Sequence, residues 1–177
     1  MPIAGPGRGW AAAFAALARK GTIIMQTVDQ ITHELAGHPF LAGMDHKHIV
    51  RLADWAKKVE ILPDQYLCHA RHPVNRLYLM QSGRVALGLD SPSEGLKALQ
   101  TLDAPAVVGI SWLSPPYESC YDVKALTAVD VLSIDAEKLR KAIEEDHDFG
   151  HQMLLRLLAV FAERLQASSL QLYELSE

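Results

Sequence analysis

Residues 75–85 read NRLYLMQSGRV, and this stretch decides the fold. Ser82-Gly83, a pair of turn formers, stands between two apolar runs, which predicts a hairpin of two β-strands. Similar short runs recur from residue 59 to residue 134, separated by turns rich in Pro, Gly, Asp and Ser. Eight short strands at this spacing predict a sandwich or jelly-roll barrel. The predicted strands are Val59–Leu62, Tyr66–Cys68, Arg76–Gln81, Val85–Leu89, Leu96–Leu102, Ala106–Val108, Val123–Thr127 and Val131–Ile134.

Apolar residues at helical spacing bracket the strands on both sides. Ile31 and Leu35 predict a short helix, and Asp45 is placed as the N-cap of a second helix that extends through Ala56. Beyond the strands, Asp135 is expected to cap a short helix that precedes a long final one. The predicted fold is therefore α+β: a jelly-roll β-barrel flanked by short N-terminal helices and a long C-terminal helix.

The chain divides into three predicted segments. Residues 1–24 are expected to be a disordered or mis-annotated extension, with Met25 as the functional start. Two other interpretations of this Ala-rich segment stay open, a frayed helix and a weak signal peptide. Residues 25–147 form the predicted barrel domain with its short helices, and residues 148–177 form a C-terminal dimerisation helix.

Composition restricts the classes of partner. The formal net charge is -4 and the pI is about 6.0, so the generally basic surface of a nucleic-acid-binding protein is absent. Two cysteines do not make a disulfide framework, and they fit a reducing compartment. No apolar run approaches the ~18–20 residues that a membrane span needs. We therefore expect a cytoplasmic protein that contacts neither nucleic acid nor a membrane.

The final helix carries a heptad seam. Its apolar residues recur at alternating spacings of four and three, with Ser168 as the polar exception, which is the pattern of paired helices. The pattern predicts a homodimer through the C-terminal helix. The alternative is an amphipathic helix that folds back onto its own barrel. The predicted interface residues are Leu154, Leu158, Phe161, Leu165 and Leu172.

Three motifs identify a family resemblance. The stretch HPFLAGM at residues 38–44, the stretch at residues 75–85, and LSID at residues 132–135 followed by Leu139 resemble the cyclic-nucleotide-binding domain of the catabolite-activator-protein family. The resemblance covers the chain from about residue 30 onward. It implies a regulatory domain that couples occupancy of the barrel, or contact with a partner, to the angle of the long helix.

The resemblance also implies a phosphate-binding cassette, which in the family reads Gly-Glu, a short helix, then Arg-x-Ala. We call the corresponding residues 108–120 the cassette segment. Gly109 matches the glycine, but Ile110 stands at the glutamate position, and Ser119, or Cys120 if the loop shifts by one, stands at the arginine position. No Lys or Arg lies between Gly109 and Tyr121. The candidate ligand-binding residues are Val108, Gly109, Ile110, Ser111, Trp112, Ser119 and Cys120.

Losing these charged contacts predicts that the domain does not bind cyclic AMP or cyclic GMP tightly. Two alternatives stay open: a genuine cyclic-nucleotide-binding effector domain, and a protein-docking module whose pocket is filled by its own aromatics, Trp112 and Tyr117. Transcription factors of the family continue into a helix-turn-helix domain, whereas this sequence stops at Glu177. DNA binding by this chain is therefore not expected.

No enzyme chemistry is predicted. His69 and His72 have the wrong spacing for metal ligands on one strand face, and His46 and His48 are expected to be solvated residues of a helix. Cys68 and Cys120 would form a redox pair only if the fold brought them together, and inert buried thiols are commoner. We expect no catalytic residue, no metal site and no cofactor.

Overall fold

The computed structural model describes residues 21–174. The strands of this part of the chain are β1 (Thr22–Ile24), β2 (Ala56–Ile61), β3 (Tyr66–Cys68), β4 (Arg76–Met80), β5 (Arg84–Ser91), β6 (Gly95–Asp103), β7 (Ala106–Val108), β8 (Asp122–Ala125) and β9 (Val129–Asp135). The α-helices are α1 (Val28–Ala36), α2 (His46–Ala53), α3 (Ala136–Glu145) and α4 (His147–Glu174). Two 3-10 helices are η1 (Pro39–Leu41) and η2 (Ile110–Leu113).

The strands form two antiparallel sheets that face each other as a jelly-roll barrel. The five-stranded sheet has the order β1-β2-β9-β4-β7, and the four-stranded sheet has the order β3-β8-β5-β6. One apolar cluster fills the barrel, and a larger one lies between the five-stranded sheet and the helices. The predicted α+β barrel with flanking short helices and a long C-terminal helix is confirmed.

The five-stranded sheet is apolar on both faces. Successive side chains of a strand point to opposite faces, so Leu77 and Leu79 of β4 join the cluster beneath the helices, whereas Met80 joins the cluster inside the barrel. In β9, Leu132 and Val131 divide in the same way. A strand that is buried on both faces reads as an uninterrupted apolar run, which explains why the most informative stretch of the sequence lies here.

The predicted hairpin at Ser82-Gly83 is wrong. β4 pairs with β7 and β9, whereas β5 pairs with β6 and β8 in the other sheet. The turn instead carries the chain from one sheet to the other at a corner of the barrel. Gly83 has a φ of 88°, and a Cβ there would collide with the carbonyl oxygen of Ala128. The turn formers therefore mark a close backbone approach, and the hairpin of this region is β5–β6.

A strand that the sequence did not predict lies at Thr22–Ile24. β1 pairs with β2, with Thr22 opposite Glu60 and Ile24 opposite Lys58. These residues belong to the segment for which we expected an extension, but they occupy the edge of the five-stranded sheet. Three residues are too few to show a period in the sequence. The frayed-helix and signal-peptide interpretations fall on residues 1–20, outside the described part of the chain.

Two predicted caps differ in how their side chains are used. Asp135 caps α3 as expected, since its Oδ1 accepts hydrogen bonds from the amides of Glu137 and Lys138 at 3.1 and 3.2 Å. Asp45 precedes α2 but makes no capping bond. Its carboxylate instead accepts a hydrogen bond from Gln152 Nε2 at 3.1 Å, which ties the start of α2 to α4.

The second helix is shorter than the sequence predicted. α2 ends at Ala53, whereas helical spacing had carried the prediction to Ala56. Ala56 instead opens β2, where it pairs with Ile134 of β9. The hydrogen bonds that the six residues of β2 make with β9 stabilise the strand more than one further apolar residue would stabilise the helix.

α4 covers the helix side of the domain with its first half. Phe149, Met153 and Leu157 repeat every four residues and have no exposed surface, so one face of the helix is fixed to the core. Among residues 21–174, no helix combines the length and the apolar character that a membrane crossing requires.

Candidate functional site

β7 ends in a left-handed turn at Gly109, the first turn of the cassette segment. Its φ of 78° and ψ of 43° lie in a region that residues with a Cβ rarely adopt. A Cβ here would stand 2.6 Å from the carbonyl oxygen of Arg76 on the neighbouring strand β4. Both the backbone conformation and the available space therefore require glycine at this position.

η2 follows the turn and carries Ile110, Ser111 and Trp112. Ile110 and Trp112 are buried, and Ser111 is partly exposed. Trp112 has none of its surface exposed, and it belongs to the cluster beneath the helices, not to the cluster inside the barrel. Its Nε1 is buried without a hydrogen-bond partner. The indole thus anchors the cassette segment to the helix side of the domain.

Apolar side chains occupy the interior of the barrel. Val108, the first residue of the cassette segment, lies among them. A ribose phosphate placed among these apolar side chains would lose its water without gaining a charged partner from them. The buried members are Ile61, Cys68, Met80, Val85, Leu87, Val108, Val123, Ala125, Val129 and Val131.

The loop after η2 is held to the β3–β4 connection by backbone hydrogen bonds. The amide of Ser119 donates to the carbonyl of His72 at 2.9 Å, and the amide of Arg71 donates to the carbonyl of Ser119 at 2.7 Å. The amide of Val74 donates to the carbonyl of Tyr117 at 2.8 Å. The backbone of this loop is therefore engaged within the protein.

Ser119 and Cys120 occupy the positions at which the resemblance implies an arginine. Ser119 is buried, and its hydroxyl donates to the carbonyl of Tyr121 at 2.6 Å and accepts from the amide of the same residue at 3.3 Å. Cys120 is exposed and free. Neither side chain is a cation, and the Ser119 hydroxyl is already used by its own loop.

Arg140 of α3 reaches the cassette segment from another element. Its Nη1 donates to the carbonyl oxygen of Trp112 at 3.0 Å, and its guanidinium lies 4.7 Å from the centre of the Tyr117 ring. These contacts fix η2 and the following loop to α3. Sequence reasoning missed this residue, because the contact joins positions 28 residues apart and no local pattern signals it.

A buried carboxylate organises one end of the four-stranded sheet. Asp122 accepts hydrogen bonds from the amides of Ala70 at 3.1 Å and Asp90 at 2.8 Å, and it lies 3.2 Å from Nδ1 of His69. Tyr66 donates its hydroxyl to Asp90 at 2.7 Å. Burial, reinforced by this bond to Asp90, raises the pKa of Tyr66 to about 12. The carboxylate joins β5, β8 and the end of β3.

His48 is buried, and the prediction that it is solvated is wrong; His46 is exposed as expected. The Nε2 atom of His48 lies 2.9 Å from a carboxylate oxygen of Asp148, and its ring packs edge-on against Phe149 at 5.3 Å. Docking of α4 against α2 buries the ring, which spacing within α2 does not reveal.

Asp45, His48 and Asp148 bring potential metal-ligand atoms within 4.8 Å of one another. Their carboxylates already have protein partners, however. The ammonium of Lys47 lies 2.9 Å from Asp148, and Gln152 donates to both carboxylates. Contacts within and between α2 and α4 therefore already meet the hydrogen-bonding and charge requirements of these side chains.

The predicted dimer seam lies on the outer face of α4. Leu154, Leu158, Phe161 and Leu165 are 41%, 63%, 43% and 69% exposed in the single chain. The side chain of Leu172 lies outside the described residues. A row of large exposed apolar side chains on one helix face is typical of an interaction surface.

A sequence model described as the cyclic nucleotide-binding domain matches residues 58–146. No curated protein sequence matches the chain. A cyclic nucleotide-binding domain from Methylobacillus flagellatus has a TM-score of 0.68 at 17% identity, covering 83% of each chain.

Two further solved structures are similar. The N-terminal domain of a transcriptional regulator from Streptomyces coelicolor has a TM-score of 0.58 at 22% identity, over 75% of this chain and 93% of that one. The regulatory subunit of a cAMP-independent protein kinase A from Trypanosoma brucei has a TM-score of 0.59 at 18% identity, over 87% and 52% of the chains. At these identities the likeness establishes the fold.

Proposed function

We propose a function from one premise: this chain belongs to the cyclic nucleotide-binding domain family, whose model matches half of its length. It is a cytoplasmic, non-catalytic regulatory domain that acts as a homodimer. It does not hold cyclic AMP or cyclic GMP with high affinity, and it does not itself bind DNA or a membrane. The observation that carries the proposal is the absence of any Lys or Arg from residue 109 to residue 121.

The binding free energy lost with the arginine and glutamate contacts of the family can be given a range. A hydrogen bond to a charged group contributes about 1.5–3 kcal/mol, so loss of both the arginine and the glutamate contacts weakens binding by about 3–6 kcal/mol, or roughly a hundredfold to ten-thousandfold. Ser119 does not replace the arginine, because its hydroxyl is bound to Tyr121. The apolar side chains that fill the barrel do not supply a charge in its place. The similar regulatory subunit from T. brucei belongs to a cAMP-independent protein kinase A, which supports a regulatory role without cyclic AMP for this scaffold.

A route from the cassette segment to the long helix supports a regulatory role. Arg140 binds the carbonyl of Trp112 and covers the Tyr117 ring, and α3 leads directly into α4. A displacement of the cassette segment therefore acts on α3 and, through it, on α4. Coupling of this kind requires two populated arrangements whose balance a ligand or partner shifts.

The exposed seam supports the homodimer. Its residues form a separate row on α4, adjacent to the row that contains the buried Met153 and Leu157, and a heptad pattern is self-complementary between two copies of one helix. The described leucines of the seam are 41–69% exposed in the single chain, so burying the exposed part of each one contributes about 0.6–2 kcal/mol to packing against a second copy.

A protein-docking module is a second candidate. The observation in its favour is the pair of exposed tyrosines, Tyr117 and Tyr121, which flank the buried Ser119. Tyrosine supplies rigid contact area at interfaces. In this alternative the cassette segment is the contact surface for a partner protein.

Thermal unfolding of the purified chain with excess cyclic AMP or cyclic GMP tests the proposal. We expect the midpoint to stay unchanged, because a ligand that does not bind the folded state cannot stabilise it. A rise of several degrees that saturates with nucleotide concentration would favour the effector-domain alternative. A rise of the same size in Gly109→Ala, measured from that variant's own lower midpoint, would show that the stabilisation does not depend on the cassette segment.

A further inference from the structure

We propose that a cavity between α4 and the edge of the barrel binds a small monocarboxylate with an apolar body. The cavity has a volume of about 540 Å³ and lies among α4, η1 and the β6–β7 connection. None of residues 108–120 lines it, so it is separate from the cassette segment. The proposal rests on the proposed regulatory function and adds a ligand class to it.

Two arginines of α4 line this cavity, and Glu163 acts on the charge of Arg164 without forming an ion pair with it. Neither Arg156 nor Arg164 forms an ion pair within residues 21–174. Arg164 is largely buried and donates to the carbonyl oxygen of Val107. Arg156 donates to the carbonyls of Gln152 at 2.7 Å and Ala42 at 2.8 Å. Its Nε is buried and has no hydrogen-bond partner.

Such arginines favour an anion. A guanidinium remains protonated in proteins, and removing it from water is costly unless a negative group compensates. Carbonyl oxygens satisfy some of its N–H groups but do not neutralise its charge. A carboxylate does both, since its two oxygens match the planar fork of the guanidinium.

The acidic residues of the cavity restrict the charge of that anion. Asp103 is already paired, because its Oδ1 accepts from Arg84 Nε at 2.6 Å. Glu163 lines the same wall as the two arginines and offsets one of their charges. One net positive charge remains for the ligand. A monocarboxylate matches this balance, whereas a phosphate monoester carries more negative charge and is disfavoured by Glu163.

Most of the remaining wall is apolar, and His38, Gln100 and Thr101 are its polar members. Phe40, Leu102, Val107 and Val160 line the cavity together with several alanines and prolines. Ligand sites combine such a lining with a few placed polar groups, and their volumes are about 300–1,000 Å³. The ligand therefore has an apolar body beside its carboxylate.

The position of the cavity connects it to α4. With 3.6 residues per turn, Arg156, Val160 and Glu163 fall on the face of α4 opposite Leu158 and Leu165 of the seam. A ligand in the cavity therefore sits between α4 and the barrel without touching the seam. Occupancy is expected to bias the position of α4 while leaving the dimer contact intact.

Calorimetric titration of the purified full chain with octanoate tests the ligand class. Acetate, 1-octanol and octyl phosphate are the comparison probes, since each lacks one feature of the ligand or carries the wrong charge. We expect one octanoate per chain, with each comparison probe binding at least tenfold more weakly. Absence of octanoate binding, or equal binding of 1-octanol, would overturn the proposal.

Variants locate the bound molecule. Arg156→Gln and Arg164→Gln are each expected to weaken octanoate binding about ten- to a hundredfold, the range of one charged hydrogen bond. The exposed Arg71→Gln is the control and should leave it unchanged. If Arg164→Gln fails to fold by circular dichroism, Arg156→Gln and the cavity-filling Ala159→Leu replace it. Octanoate affinity that no cavity variant changes would place the ligand elsewhere and refute the assignment.

The two proposals fail separately. Tight cyclic AMP binding in the barrel would contradict the proposed function. It would not change whether octanoate binds in the cavity, so the cavity assignment would still be judged by the octanoate titration. Failure of octanoate to bind would refute the cavity assignment. The proposed function would still be judged by the titration with cyclic nucleotides. Glu163→Gln adds an internal check, because it should improve the binding of octyl phosphate.

Discussion

At the residue scale, Gly109 determines how the cassette segment leaves β7. Its left-handed backbone and the nearby carbonyl oxygen of Arg76 impose separate demands. The first is conformational strain for any residue with a Cβ. The second is a steric clash that no change of side-chain rotamer relieves. Gly95 shares the first demand but not the second, because a Cβ added there would meet no atom within 4 Å.

Gly109→Ala should therefore destabilise the protein more than Gly95→Ala does. We expect about 1 kcal/mol for Gly95→Ala, from strain alone, and about 3 kcal/mol for Gly109→Ala, from strain and overpacking together. Urea unfolding of both variants measures the difference. Equal losses of unfolding free energy in the two variants would show that the backbone at Arg76 moves away from the added Cβ without destabilising the fold. That result would contradict the steric requirement for Gly109.

The two cysteines are expected to differ in reactivity. Cys68 lies inside the barrel, where burial raises the pKa of its thiol to about 12, and Cys120 is exposed. Titration with a thiol-specific disulfide reagent should detect one thiol per native chain and two per unfolded chain, because only a thiolate reacts. Cys120→Ser should abolish the native reaction. Rapid modification of Cys68 in the folded protein would contradict the enclosed barrel.

At the element scale, η1 depends on a neutral histidine. His38 Nδ1 accepts from the amide of Phe40 at 3.3 Å, so Nε2 carries the proton and donates to the carbonyl of Met80 at 3.0 Å. Protonation of Nδ1 would remove the cap of η1. Burial lowers the pKa of His38 below its usual 6.5, partly offset by the bond to Met80.

This arrangement predicts a loss of stability in mild acid. The unfolded chain protonates His38 near pH 6.5, whereas the folded chain resists protonation until a lower pH. The unfolded state thus binds more protons below pH 6.5, and the free energy of unfolding falls as pH drops through this window. His38→Gln should flatten the dependence measured by urea unfolding between pH 7.5 and pH 5.5. The exposed His33→Gln should retain the wild-type slope, and an unchanged slope in His38→Gln would contradict the prediction.

α4 is expected to have two faces with different consequences on substitution. Leu158→Lys places a charge in the seam, whereas Leu155→Lys places one at an exposed position beside it. Light scattering should report twice the 19.5 kDa chain mass for the wild type and for Leu155→Lys, and a monomer for Leu158→Lys. Circular dichroism should show the same helix content in all three. A dimer that survives Leu158→Lys would place the interface elsewhere.

At the scale of the whole molecule, the sequence predicts strands better than their partners. The apolar runs of β4 and β9 are visible because both faces of the five-stranded sheet are buried. The hairpin at Ser82-Gly83 was wrong because pairing depends on which sheet each strand joins, and a local turn signal does not contain that information. The sequence did not predict β1 for the same reason, because its three residues form a strand only through pairing with β2.

In the candidate site too, features that depend on the local sequence could be predicted, whereas contacts between distant elements could not. Gly109 and the missing cations could be read from the sequence and its family resemblance. The burial of His48, the contact of Arg140 with Trp112, and the cavity of Arg156 and Arg164 arise where α2, α3 and α4 meet other elements. Contacts between elements distant in the chain leave no periodic trace, so the residues that connect the cassette segment to the helices could not be predicted.

We propose that this barrel, which has the fold of a cyclic nucleotide-binding domain, does not hold cyclic AMP tightly because residues 109–121 contain no Lys or Arg. Calorimetric titration of the purified chain with cyclic AMP tests this claim most directly. The account predicts no saturable heat at nucleotide concentrations around 1 µM, the level that would correspond to about 8 kcal/mol of binding free energy. A dissociation constant below about 1 µM with one nucleotide per chain would contradict it.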